Sequence, residues 1–97
     1  ISSETYINHN PDAPDGLDAL IEMDRSARAA GQALFYRQVH RIVGQGNFVV
    51  SFAHQVWNSI DYAAFDIFRL EDGKIVEHWD NVETLPAPED LVNSGKF

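Results

Sequence analysis

DIFRLEDGKIVEHWD, residues 66 to 80, is two runs of alternating apolar and polar residues joined through Glu71-Asp72-Gly73. Alternation with period two is strand patterning, and a connection this short makes the two strands antiparallel. A three-residue loop, a type I turn closed by glycine in the left-handed region, sets Leu70 opposite Lys74, Phe68 opposite Val76, Asp66 opposite His78 and Ala64 opposite Asp80. In that register Asp66, Phe68, Val76, His78, Asp80 and Val82 share one face, while Ile67, Arg69, Ile75, Glu77 and Trp79 share the other. A two-residue Asp72-Gly73 turn would slip the pairing by one and carry Asp66 to the face of Trp79.

The same patterning extends towards the N-terminus. Strands are expected over 34–43, 48–57, 61–70 and 74–82, broken at Gly44-Gln45-Gly46-Asn47, Asn58-Ser59-Ile60 and the loop above. Breaks this short make a meander. Before it, Leu17, Leu20, Ile21 and Ala27 recur at helical spacing, so one amphipathic helix is expected over about residues 17 to 30, with Asp12 or Asp15 as its cap and Gly31 at its end. Tyr6-Ile7 is a short ordered segment running into a turn-rich loop. The prolines at 86 and 88 keep the tail from extending the last strand. The result is a single α+β domain over residues 1–97, with a sheet larger than one helix covers.

Composition narrows the function. The 97 residues are 44% hydrophobic and 11% aromatic, enough for one packed core. Fifteen acidic residues against seven basic give a formal charge of -8, which repels nucleic acid and anionic membrane surfaces. There is no cysteine, hence no disulfide, thiolate metal site or thiol nucleophile. No apolar run is long enough for a membrane-spanning helix and no targeting signal is visible, so a cytoplasmic protein is expected.

An apolar sheet face carrying a few ionisable groups is the sequence pattern of a ligand pocket. Desolvation and neighbouring like charge are the conditions under which a carboxylate works as an acid or base near neutral pH. Asp66 and Asp80 are the candidate catalytic pair. Strand 48–57 adds Val50, Phe52, His54 and Val56 as an apolar side with a single histidine. Phe52, His54, Phe68 and His78 are therefore the candidate substrate-binding residues. His40 is expected to be solvated, and Arg69 to pair with Glu77 across strands. No pair of residues shows a recognised metal-ligand spacing, so no metal or other cofactor is expected.

Three segments together, Tyr6-Ile7-Asn8-His9-Asn10-Pro11 with Asp15-Gly16, the run DIFRLEDGKIVEHWD, and the closing Asn93-Ser94-Gly95-Lys96-Phe97, resemble the SnoaL-like (polyketide cyclase-like) family of the NTF2-like superfamily. The resemblance covers nearly the whole chain. It implies an NTF2-like cone, a curved antiparallel sheet packed on helix around an apolar cavity, and commonly a homodimer. It also implies a cofactor-independent activity, intramolecular aldol condensation in a polyketide cyclase or a related isomerase reaction. The aspartate that acts as acid and base falls at Asp80, a second pocket residue at Asp66, and the histidine of the first motif at His9. Relatives carry further helix before that motif, so the N-terminal helices are expected to be absent here. Many relatives place a histidine where Phe52 stands, and this chain has His54 two residues on.

The expected function is thus general acid/base chemistry by a pocket aspartate on a small apolar carbonyl compound. Ketosteroid-isomerase-like and epoxide-hydrolase-like activities use carboxylates in the same kind of cone. The alternative from another class is a non-catalytic module that binds a small molecule or dimerises through its sheet.

Overall fold

The computed structural model describes all 97 residues. In chain order it contains β1 (Ile7–Asn8), α1 (Leu17–Ala29), β2 (Phe35–Gln45), β3 (Phe48–Trp57), β4 (Ile60–Glu71) and β5 (Lys74–Thr84), then a single 3-10 turn at Pro88–Asp90. The fold is α+β, with one curved, unclosed five-stranded sheet in the order β1-β5-β4-β3-β2. The four long strands form the expected meander. The sheet is mixed rather than antiparallel throughout, because β1 runs parallel to β5, with Ile7 beside Glu77 and Asn8 beside His78.

The turn between β4 and β5 differs from the expected one. Glu71 pairs with Lys74, leaving a two-residue Asp72-Gly73 turn in which both residues have positive φ, 51° and 75°. That is the type I′ pattern, whose twist matches the flanking strands. Asp72 tolerates the left-handed region and Gly73 meets no steric penalty there. Two pairs later the ladder shifts by one, so that Leu70 pairs with Ile75 but Arg69 pairs with Glu77, and Val76 is the extra residue of a β-bulge. Asp66 therefore stands opposite Asp80 and Phe68 opposite His78, two residues from the expected register. Because two is even, Asp66, His78 and Asp80 remain on one face.

Helix α1 ends in a Schellman motif. The Gln32 N–H reaches the Ala27 carbonyl and the Gly31 N–H that of Arg28, with Gly31 at φ 71°. Its start is not capped by Asp12 or Asp15: Gly16 holds the cap position without a side-chain bond, and Asp15 Oδ1 instead accepts the backbone N–H of Asn8 at 2.7 Å. The helix contains no buried residue. Only 9 of 97 residues are buried, and the radius of gyration of 14.7 Å exceeds the roughly 13 Å typical of a compact chain of this length. The sheet's faces thus stay largely open within this chain.

β2 carries two further register shifts, between Tyr36 and Gln38 and between Val39 and Arg41, which bend the far edge of the sheet. The direction of bending is read from Gln55 and Asp66. Gln55 pairs with Tyr62, four residues from Asp66 along β4, or about 13 Å on a flat strand. Yet Gln55 Nε2 donates to Asp66 Oδ2 at 3.1 Å. The face that carries Asp66 is therefore the concave one.

Candidate acid-base site

The centre of the concave face is floored by Ala53 and Ala64, paired across β3 and β4 and 0% and 1% exposed. Small side chains there leave room above the sheet for the longer polar groups around them. Asp66, 4% exposed, uses both carboxylate oxygens: Oδ2 accepts from Gln55 and Oδ1 faces His78 Nε2 at 2.7 Å. The other ring nitrogen of His78, Nδ1, lies 3.1 Å from Asn8 Oδ1. That amide is oriented by the backbone N–H of Asn10, which donates to the same oxygen at 3.0 Å.

His78 therefore presents both nitrogens to oxygen acceptors. The ring thus joins the Asp66 carboxylate on β4 to the Asn8 amide on β1. Asp80 sits across the ladder from Asp66, with Oδ2 accepting from Asn10 Nδ2 at 2.8 Å and Oδ1 free of any protein hydrogen bond. Phe68 stacks on His78, ring centroids 5.1 Å apart, and fixes the ring plane.

Two phenols border the cluster. Burial raises the pKa of Tyr6 above its usual 10.0, and the charges of Asp66 and then Asp80 raise it further. Burial likewise raises Tyr36, followed by the charge of Asp66, with a hydrogen bond to Gln55 opposing. Both are held as neutral donors over the physiological range.

Of the residues singled out in the sequence, Asp66, Phe68, His78 and Asp80 are brought together. His9, Phe52 and His54 are not, because each stands on the convex face. The parallel pairing of β1 with β5 turns Asn8 towards His78 and sends His9 to the other side, where it stacks on Trp79 at 4.7 Å and meets Glu77 Oε2 at 2.7 Å. Phe52 pairs with Phe65 and stacks on it at 4.1 Å. His54 bonds Asp61 Oδ1 at 2.7 Å. His40 is not simply solvated, since Phe97 of the returning tail stacks on it at 4.0 Å. Arg69 pairs with Glu77 at 2.7 Å, as expected.

Tyr6, Asn8, Asn10, Tyr36 and Gln55 are the members of the site that strand alternation did not reveal. Gln55 alternates with His54 and so was placed with the non-pocket side of β3. The signal for Asn8 and Asn10 was their period-two spacing with Tyr6, which puts all three on one side of an extended segment.

Donor atoms of Asp66, His78 and Asp80 lie within 4.8 Å of one another, a set of oxygen and nitrogen ligands that suits a divalent cation in chemistry. The shortest contact in that set is the His78–Asp66 hydrogen bond itself, which a cation would have to break. Recesses of about 120 and 190 Å³ lie beside the C-terminal tail, lined by residues such as Phe52, Phe65 and Lys96 in one and His54, Leu91 and Phe97 in the other. Neither borders Asp66 or Asp80, and both are smaller than the roughly 300 Å³ at which ligand pockets begin. The clustered ionisable groups lie instead on the open concave face.

No family model matches the chain. Comparison with curated proteins likewise finds no match.

Proposed function

We propose that the chain is a SnoaL-like protein of the NTF2-like superfamily and acts as a cofactor-independent acid/base catalyst on a small apolar carbonyl compound, with Asp80 as the base. The observation that carries this reading is the unequal bonding of the two carboxylates. Asp66 is saturated by Gln55 and His78, whereas Asp80 keeps a free oxygen beside it. A carboxylate with a free lone pair, beside one whose two oxygens are both engaged, is suited to take a proton from carbon and return it.

Asp80 Oδ1 accepts the proton α to the carbonyl, and the C–H electron pair becomes the π bond of an enolate. In an aldol closure the enolate carbon then bonds to a second carbonyl carbon, and the resulting alkoxide recovers the proton from Asp80. In an isomerisation the proton returns to a different carbon. Either sequence is balanced without an external reagent. Asp66 acts as a positioning residue that holds His78, and Asp80 is the group left to react.

The test is exchange of the α-protons of 2-tetralone, an enolisable apolar ketone, for deuterium, followed by proton NMR. The wild-type protein is expected to accelerate exchange. Asp80→Asn should lose about 10²- to 10⁴-fold, the usual worth of a positioned base. Equal exchange by both proteins would remove the catalytic reading.

A second reading is favoured by the convex face, where Phe48, Phe65 and Ile67 are exposed. There the chain is a module that pairs with a second copy. Sedimentation of the wild type as a monomer across micromolar concentrations would end that reading.

A further inference from the structure

Strand β2 is an edge of the sheet, and its outer side has no partner. Of the backbone hydrogen bonds made outside the helix and the ladders, none involves residues 35–45. Sheet edges are normally blunted by shortness, proline, lysine or bulges. The opposite edge follows that rule, since β1 has two residues and leads into Pro11. β2 follows it only in its first half. Its 11 residues include neither proline nor lysine, and both register shifts fall before Arg41. From Arg41 to Gln45 the ladder with β3 is regular, and Ile42 and Val43 are 69% and 63% exposed. A regular run with unpaired backbone groups is a template for one more strand.

Charge selects the occupant. The chain carries 15 acidic residues, yet none between Asp24 and Asp61. Arg25 and Arg28 pair within α1, Arg37 lies 3.7 Å from Asp61, and Arg69 bonds Glu71 and Glu77. Arg41 is the one arginine without an ion pair. Its Nη1 donates to the His40 carbonyl at 2.8 Å, which leaves the rest of its N–H fork unused. The register sets Arg41, Val43 and Gln45 on the convex side, and Ile42 and Gly44 on the concave side. A Cβ added at Gly44 would meet nothing closer than 3.9 Å, so there is room beside Ile42 for a bulky apolar side chain. A second copy on this edge would set two basic, acid-free strands together, an arrangement that charge opposes.

We propose that the Arg41–Gln45 edge of β2 docks an extended acidic peptide, which joins the sheet as a further strand. Its backbone completes the ladder, its acidic side chains lie on the convex side against Arg41, and the apolar residues between them cover Ile42 and Gly44 on the concave side. Alternation of acid and apolar residue is thus part of the recognition. The edge is two strands away from Asp66 on β4, so the docking is independent of the acid-base chemistry there.

The probe is the capped peptide Ac-EVEVEVE-NH2, followed by amide hydrogen exchange of the ¹⁵N-labelled protein. In the wild type the peptide is expected to slow exchange within residues 41–45. Arg41→Glu should bind it about 10-fold more weakly and gain affinity for Ac-KVKVKVK-NH2. Circular dichroism checks that this variant is folded. Should it not be, the wild type in about 1 M salt, where the attraction is screened, should show the weakening instead. No slowing at millimolar peptide, slowing confined to other strands, or equal binding of both peptides by the wild type overturns the proposal. So does protection of residues 41–45 that grows with protein concentration in the absence of peptide, which would give the edge to a second copy.

Discussion

His78 Nε2 stands 2.7 Å from Asp66 Oδ1 while its Nδ1 faces Asn8 Oδ1 at 3.1 Å, so one imidazole bridges two acceptors from two different strands. Breaking that bridge in two ways should give different results. Asp66→Asn offers an amide N–H to Nε2 while Nδ1–H donates to Asn8, so the network still closes. A loss of about 1 kcal/mol is expected. Asp66→Ala leaves Gln55 and His78 facing a void, and about 3 kcal/mol is expected, the scale of an uncompensated buried group. Urea unfolding of the two variants measures both, and equal losses would remove the bridging role.

The meander and the helix were legible because alternation and helical spacing are local. So was the sharing of a face by Asp66, His78 and Asp80, although for a reason the sequence conceals. The two-residue Asp72-Gly73 turn on its own would have sent Asp66 to the side of Trp79, and the bulge at Val76 restores the parity. A bulge leaves no composition mark on a run such as Ile75-Val76-Glu77. His9, Phe52 and His54 were misplaced because a face was assigned to each segment separately. Which side of β3 matches which side of β4 depends on turn length, and β1 is set by a parallel, non-local pairing.

Glu77 on the convex face gives a prediction for acid. The hydrogen bond from His9 holds its carboxyl below the usual 4.5, and the bond from Arg69 lowers it further. A carboxylate with a depressed folded-state pKa adds stability that is present above 4.5 and is lost as pH falls through the lower, folded value. The melting temperature of Glu77→Gln should thus fall less than that of wild type on acidification below 4.5. Parallel curves would mean that the His9 and Arg69 bonds do not favour the charged form.

The concave face gives the opposite window. Burial first, and the carboxylate charges second, raise Tyr6 and Tyr36 above 10.0. With folded values above unfolded ones, stability is intact below 10.0 and declines as pH rises from there towards the folded values. Spectrophotometric titration should show Tyr6 and Tyr36 ionising later in the folded protein than in urea. Replacing both Asp66 and Asp80 by Asn should bring Tyr6 and Tyr36 back towards 10.0, and no movement would mean that burial, not the carboxylates, sets them.

Divalent cations separate acid-base chemistry from metal chemistry at the same residues. Asp66, His78 and Asp80 are close enough to ligate, but a cation must displace the proton that joins His78 to Asp66 and pull apart a 2.7 Å hydrogen bond. Millimolar Mn²⁺ or Zn²⁺ should leave the melting temperature of the wild type unchanged, and α-proton exchange should persist in a chelator. A cation bound one hundred-fold above its dissociation constant would add about 2.7 kcal/mol and raise the melting temperature by several degrees. A rise of that size, absent from Asp80→Asn, would make the cluster a metal centre and displace Asp80 from its role as base.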